Sequence, residues 1–131
     1  MKRLQPPGWR EPKGYSNGVS VRGVMVFVAG QVGWDEQCQF KTDDFVGQVE
    51  QALKNVVAVL AEAGARPEHI VRMTWYVLDK AEYLEAQRSL GQVFREIIGS
   101  YGAAMTAVQV AGFVEEGARV EIEVTAVIPD S

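Results

Sequence analysis

The sequence has little of the chemistry that metal centres and cysteine nucleophiles require. It contains one cysteine, Cys38, and one histidine, His69, in 131 residues. A single cysteine cannot form an internal disulfide, and a structural zinc site takes about four cysteine or histidine ligands. A catalytic thiol needs a histidine partner, but these two residues lie in different polar segments. We therefore expect a free thiol at Cys38, no metal site and no cofactor.

Long apolar runs and clusters of positive charge are also missing. No run approaches the roughly 20 apolar residues of a membrane-spanning helix. The basic N-terminal start is not followed by an apolar segment, so it is unlike a secretory signal. The net charge is −4, and no basic cluster suits a phosphate backbone. We expect a cytoplasmic protein with no membrane partner, for which nucleic acid is disfavoured as a partner.

What the sequence has in quantity is apolar residues, which make up 47% of the chain against 23% charged. The length is that of one ordinary domain, and this apolar content suffices for a core. We expect a single domain over residues 1–131. Prolines and glycines cluster in residues 1–18, which predicts an irregular, extended N-terminal arm.

The first half of the chain predicts a hairpin followed by a helix. Residues 19–30 favour two strands that turn near Gly23, and the continuous apolar run of the second strand predicts burial on both faces. Apolar residues then recur at helical spacing, so we expect a helix over residues 43–63 that Thr42 or Asp43 caps.

The second half predicts strand, helix, strand and strand. Residues 70–78 are rich in β-formers, and residues 79–98 carry an apolar stripe at helical spacing. Residues 105–113 predict a further strand, and residues 119–128 alternate between apolar and polar. The order β-β-α-β-α-β-β predicts an α+β fold, in which two helices cover one face of one sheet.

The sheet face away from the helices is predicted to be half polar. It would carry Arg72 and Tyr76 from the middle strand and Glu121 and Glu123 from the last, beside apolar residues such as Phe27. Such a face is too apolar to lie bare in water and too charged for an ordinary core. We therefore expect a homo-oligomer in which this face packs against copies of itself.

Five segments at matching spacing carry a family resemblance over almost the whole chain. They read KGYSNGV, VFVAGQVGWD, QVEQALKNVVAVLAEAGA, HIVRMTWYVLDKAEYLEA and RVEIEVTAVI. Together they resemble the Rid family (reactive intermediate deaminase), also called YjgF-like or endoribonuclease L-PSP-like. The resemblance implies a fold like that of trimeric chorismate mutase, a homotrimer, and a small-molecule cleft at each subunit interface.

The resemblance also implies an activity. Members of the founding branch hydrolyse reactive imines and enamines without metal or cofactor, and some members are described as ribonucleases. We expect a Rid-like hydrolase (deaminase) for a small imine, enamine or related C–N compound. The alternative is a non-catalytic trimer that binds a small metabolite. An endoribonuclease is the remote alternative, because the acidic charge and the single histidine disfavour RNA cleavage.

The functional residues of the family carry over unevenly. The resemblance places its site tyrosine at Tyr15, its ligand-side glycine at Gly30, its helix asparagine at Gln87 and its glutamate at Glu121. In this reading Glu121 activates the attacking water as a general base, and the other three bind substrate.

The arginine of the deaminase branch falls on Met105, in the segment AAMT, with Thr106 and Ala107 after it. Arginine holds a carboxylate through two charge-assisted hydrogen bonds, which a thioether cannot make. Losing that pair costs about 2–5 kcal/mol, or roughly 30- to several-thousand-fold in binding. We expect Met105, Thr106 and Ala107 to bind a substrate whose α-carboxylate, if present, is not anchored by arginine. The candidates for a substitute cation are Arg10, Arg72 and Arg119.

Each of these residues also has a structural interpretation. Met105 could fill a core or an interface, and Tyr15 could anchor the arm. Gln87 could be a solvated helix residue. Glu121 could form an ion pair with Arg72 on the neighbouring strand.

Overall fold

The computed structural model describes residues 1–100 and 102–130. The elements in chain order are β1 (Lys2–Leu4), β2 (Gly18–Ser20), β3 (Gly23–Val32), α1 (Phe45–Glu62), a 3₁₀ turn (Pro67–His69), β4 (Ile70–Val77), α2 (Lys80–Glu85), α3 (Gln87–Ile97), β5 (Ala104–Gln109) and β6 (Val120–Pro129). The main sheet has the strand order β3-β6-β4-β5 and is mixed, since β5 runs parallel to β4 and the other pairs are antiparallel. The predicted α+β class is confirmed.

The core lies between the sheet and the helices on one of its faces. Alternation along β6 buries Val120, Ile122, Val124 and Ala126 on this face, as predicted. The facing residues of α1 recur every three or four positions and are fully buried. Each such side chain stabilises the fold by about 1.5–3 kcal/mol through burial. This packing holds the sheet rigid beneath α3 and beneath the site described below.

Helix α1 begins slightly later than the sequence predicts. Its N-cap is Asp44, whose Oδ2 accepts a hydrogen bond from the backbone N–H of Gly47 at 2.8 Å. The prediction of Thr42 or Asp43 as the cap is therefore wrong. Thr42 instead accepts from the N–H of Asp44 at 3.0 Å and so orients the cap. Gly64, with φ of +74°, follows the helix at its C-terminal end.

The predicted hairpin between β2 and β3 is wrong. Strand β2 pairs with β1, and β3 pairs with β6 from Gly23↔Pro129 onward. Gly23 is needed for close approach of these strands, since a Cβ there would lie 1.9 Å from the carbonyl oxygen of Ile128. The ten-residue β6 offers β3 a longer partner than the three-residue β2 does.

The two predicted features next to this hairpin also need correction. Residues 1–18 are not wholly irregular, because β1 lies within them and pairs with β2 in a second, two-stranded sheet. Strand β3 is not buried on both faces within one chain, since Met25 and Phe27 are 58% and 70% exposed. They lie on the face away from the helices, where no described element covers them.

The second predicted helix is divided. It begins after Asp79, whose carboxylate caps α2, and breaks at Ala86 before α3. After the break, α3 packs beside α1. None of the helices in the described part of the chain is long and apolar enough to cross a membrane.

Candidate functional site

A pocket of about 310 Å³ lies between β5, helix α3 and residues 13–15 of the arm. The structure brings five of the predicted site residues together in its wall, from three separate parts of the chain. These are Tyr15, Gln87, Met105, Thr106 and Ala107.

Strand β5 supplies one wall because it is the edge of the main sheet. Its register with β4 sets Met105 beside Met73 and Ala107 beside Trp75, on the helix side. Along a strand, the backbone groups of every second residue point to the same side. The carbonyl of Ala103 points to Ser16 at the free edge. The N–H and C=O of Ala107 therefore point to the free edge as well. Within the described residues, no strand pairs with this edge beyond the Ser16–Ala104 bridge. The wall therefore offers backbone polar groups beside an uncharged thioether.

The arm is pinned against this edge, which fixes Tyr15. Ser16 is 1% exposed, and its N–H donates to the carbonyl oxygen of Ala103 at 3.0 Å. Its Oγ accepts from Nε of Arg3 at 3.0 Å. Tyr15 itself is 38% exposed. Its phenol therefore borders the pocket from a tethered segment of backbone.

The interior of the pocket is mainly aromatic and apolar. The rings of Trp75 and Tyr83 meet edge to face, with centroids 6.2 Å apart. From α3, Leu90 and Phe94 complete the wall. Gln87 stands near the opening and donates to the carbonyl oxygen of Tyr83 at 2.9 Å. The pocket thus combines an apolar floor with a few polar groups, as small-molecule sites commonly do.

Sequence reasoning missed Lys13 and Trp75 as pocket residues. Lys13 precedes Tyr15 by two residues in KGYSNGV, and that proximity is the signal that could have found it. Trp75 is 3% exposed, as its predicted core position requires, but it also lines the pocket. Its indole Nε1 is buried and has no hydrogen-bond partner among the described residues.

The three arginines considered as substitute cations do not line the pocket. Arg119 is engaged elsewhere, since its guanidinium contacts the Glu82 carboxylate at 3.0 Å. Arg72 lies on the opposite face of the sheet. The cation that does line the pocket is Lys13, an exposed ammonium on the arm.

The other two predicted site residues lie outside this pocket and adjoin one another. Glu121 is on the sheet face away from the helices, paired in register with Val32 and Tyr76. Gly30 lies in the irregular stretch of β3 between Val28 and Gln31. A Cβ at Gly30 would lie 2.3 Å from Oε2 of Glu121, so glycine leaves the space that the carboxylate occupies.

The surroundings of Glu121 favour its protonated form. Burial raises the pKa of its carboxyl above the ordinary value, and the nearby charges of Glu115 and Glu123 raise it further. Arg72 forms no ion pair with Glu121 or Glu123 in the described chain, so the structural alternative for Glu121 is wrong. Glu123 instead accepts a hydrogen bond from the Tyr76 hydroxyl at 2.6 Å. A half-buried carboxyl with a raised pKa holds its proton more tightly than an exposed one and is a stronger base when ionised.

No group of three or more histidine, cysteine, aspartate or glutamate side chains in the described residues is placed to hold a metal ion. Cys38 is exposed and free, in the loop predicted for it.

Comparisons with known proteins agree with the resemblance in sequence. The family model described as Endoribonuclease L-PSP matches residues 10–128. A RutC family protein of Aquifex aeolicus is 33% identical over 97% of this chain and 99% of its own. A 2-iminobutanoate/2-iminopropanoate deaminase of Salmonella typhimurium is 30% identical over 86% of each chain.

The fold agrees as well. The crystal structure of the Rid family protein YyfB from Yersinia pestis has a TM-score of 0.83 to this chain. The two chains are 28% identical, and the match covers 97% of this chain and 98% of the YyfB chain. A family match over most of the chain, with a superposition over nearly all of it, establishes that the chain belongs to the Rid family, also known as the YjgF-like or Endoribonuclease L-PSP family.

Proposed function

We propose that this protein is a Rid-family hydrolase for a small imine, enamine or related C–N compound that no arginine holds by an α-carboxylate. The observation that carries the proposal is the pocket wall at Met105. According to the family resemblance, the deaminase branch has an arginine at this position. In this chain the position holds the uncharged side chain of Met105, in an aromatic pocket. Relatives at about 30% identity that are named as deaminases support the class of reaction.

We propose further that the complete site forms between subunits of a homotrimer. Within one chain, the pocket at Met105 and the carboxyl of Glu121 lie on opposite faces of the sheet. Each is open to solvent, so each can meet the other half on a neighbouring copy. Phe27 and Met25 lie exposed on the face of Glu121, and covering them gives the association a hydrophobic driving force.

In the proposed reaction, the ionised carboxylate of Glu121 takes a proton from water as the water oxygen bonds to the imine carbon. The C=N electron pair moves to nitrogen, which takes back the proton from the Glu121 carboxyl. The regenerated carboxylate then transfers the hydroxyl proton of the tetrahedral intermediate to nitrogen, and the C–N bond breaks to give a carbonyl compound and ammonia. In this proposal the N–H of Ala107 and the hydroxyl of Tyr15 bind polar atoms of the substrate. Met105 shapes the apolar side of the pocket.

One observation favours the alternative of a binding protein without turnover. Among the described residues, those that line the pocket include no aspartate, glutamate or histidine. Catalysis thus depends on Glu121 reaching the pocket from a second subunit. If it does not, the site binds a metabolite, and that ligand raises the melting temperature without being consumed.

The activity test compares 2-aminoacrylate with an uncharged imine and follows formation of the carbonyl product. Glu121→Gln keeps the shape of the side chain and should lower kcat by about 10²- to 10⁴-fold. Glu123→Gln, on the same strand and face, is the matched control and should retain most of the activity. If the wild type is inactive on every substrate, the proposal of a hydrolase is excluded and the alternative of a binding protein remains.

The assembly test uses the exposed sheet face. Phe27→Glu should shift the protein from trimer to monomer in light scattering, since it places a charge in the proposed interface. Val114→Glu is the control, because Val114 is 97% exposed in the loop between β5 and β6. A monomeric wild type at assay concentration would contradict the proposal of a site between subunits.

A further inference from the structure

The indole N–H of Trp75 is a donor without an acceptor. Trp75 is 3% exposed, and its Nε1 has no hydrogen-bond partner in the described residues. Folded proteins rarely leave a buried donor unpaired, because the group loses its bond to water and gains nothing in return. An exception of this kind calls for a partner other than the described residues of the chain.

The residue that carries this donor is part of the pocket wall. Trp75 lines it, and its register neighbour on the edge strand is Ala107, an exposed residue with a small side chain. Met105 lies two residues before Ala107 on the same face. Its flexible, half-buried side chain can change rotamer to admit a ligand atom. A ligand in the pocket therefore meets the Trp75 side chain beside a wall that can adjust.

The chemistry of the donor restricts what it binds. An indole nitrogen gives one neutral hydrogen bond and accepts none. It suits a single uncharged acceptor such as a carbonyl oxygen. A buried carboxylate needs a charged or double donor to offset its desolvation. Here the inner wall supplies neither, since Met105 is uncharged and Lys13 is an exposed ammonium on the arm.

We infer that Trp75 is a specificity-determining residue, whose N–H donates to a neutral carbonyl oxygen of the substrate. The substrate class is then a small imine or enamine bearing an amide, lactam or ester carbonyl in place of a free carboxylate. This inference rests on the proposed function and names the substrate class of that same site.

The test observes the indole N–H directly, by ¹H–¹⁵N correlation spectra of the whole protein. Trp75→Phe identifies the resonance, because it removes that N–H and keeps an aromatic ring. The probes are 2-oxobutanamide and 2-oxobutanoate, stable carbonyl compounds that differ only in amide against carboxylate. The resonances of Trp9 and Trp34 are internal controls.

We expect 2-oxobutanamide to move the Trp75 proton resonance downfield and to leave the other two in place. Trp75→Phe should weaken binding of the amide by about 5- to 10-fold and leave binding of the acid unchanged. A residue that only filled space would change both affinities alike and would show no downfield shift. If Trp75→Phe folds poorly, Trp9→Phe and Trp34→Phe identify the other two resonances, and the wild-type titration still decides the matter.

Three results would overturn the inference. They are binding of the amide without a shift of the Trp75 resonance, failure of the amide to bind, and tighter binding of the acid that Lys13→Met abolishes. The first leaves the proposed hydrolase intact. A shift without hydrolysis of any imine would instead remove the hydrolase and keep Trp75 as a ligand donor.

Discussion

Replacing Met105 with arginine should redirect the pocket toward α-imino acids. The side chain at this position is half-buried and enters the pocket from the helix side of β5. A guanidinium there can form two charge-assisted hydrogen bonds with a carboxylate, worth about 3–6 kcal/mol together. Ordering the arginine side chain costs about 2 kcal/mol. The net gain of about 1–4 kcal/mol corresponds to roughly 5- to 1,000-fold.

The assay follows hydrolysis of 2-iminobutanoate, generated in place by an amino-acid oxidase, and gives kcat/KM for wild type and variant. Binding of 2-oxobutanoate and of 2-oxobutanamide, by calorimetry, shows whether the gain is specific for the acid. Met105→Gln is the matched control, since it is of similar length and polar but has no charge. It should gain little for the acid.

The reasoning would be refuted by a folded Met105→Arg protein, with its oligomeric state unchanged, whose ratio of acid to amide affinity equals that of the wild type. It would also be refuted if the wild type already preferred the acid. In that case an existing cation, with Lys13 as the first candidate, would be holding the carboxylate.

Three further predictions concern the Glu121 side and the core. Gly30→Ala should push the Glu121 carboxylate aside and lower kcat at least tenfold with little change in urea midpoint, since only a side chain must move; unchanged kinetics would separate Gly30 from the reaction. Because the pKa of Glu121 is raised on folding, the folded state binds its proton more tightly, so stability falls as pH rises above about 4.5, its ordinary value. The free energy of unfolding of Glu121→Gln should thus match that of the wild type below that pH and exceed it above that pH. Urea midpoints that are equal for the two proteins at both pH 4 and pH 7 would contradict this. Gln48 is fully buried and forms hydrogen bonds with two carbonyls and one backbone N–H. Gln48→Met should therefore lower the free energy of unfolding in urea by about 2–4 kcal/mol. A change under 1 kcal/mol would mean that water replaces those hydrogen bonds.

Local pattern predicted the elements better than it predicted their partners. Helix α1 and strand β6 have strong periodicity, and both form where the sequence places them, within two residues. The hairpin failed because a glycine after a short apolar run has the same local signature whether it turns the chain or admits a neighbouring strand. The neighbour of Gly23 is Pro129, over a hundred residues away, and no local pattern carries that information.

The site divides in the same way. The family resemblance nominated the residues that the structure gathers at Met105, because each belongs to a segment with a recognisable sequence. Trp75 was predicted as core, and its burial agrees. Its unpaired indole depends on what packs around it, which composition and spacing do not encode. The adjacency of Gly30 and Glu121 likewise arises from a sheet register and an irregularity in β3 that the sequence did not signal.

The tether at Ser16 has a practical consequence for how the protein is prepared. Tyr15 is held through Ser16, and Ser16 is held in turn by Arg3 in the first strand. An affinity tag or a deletion at the amino terminus would therefore loosen a wall that lies more than ten residues downstream. Ligand measurements are therefore best made on a chain that carries no tag at its amino terminus.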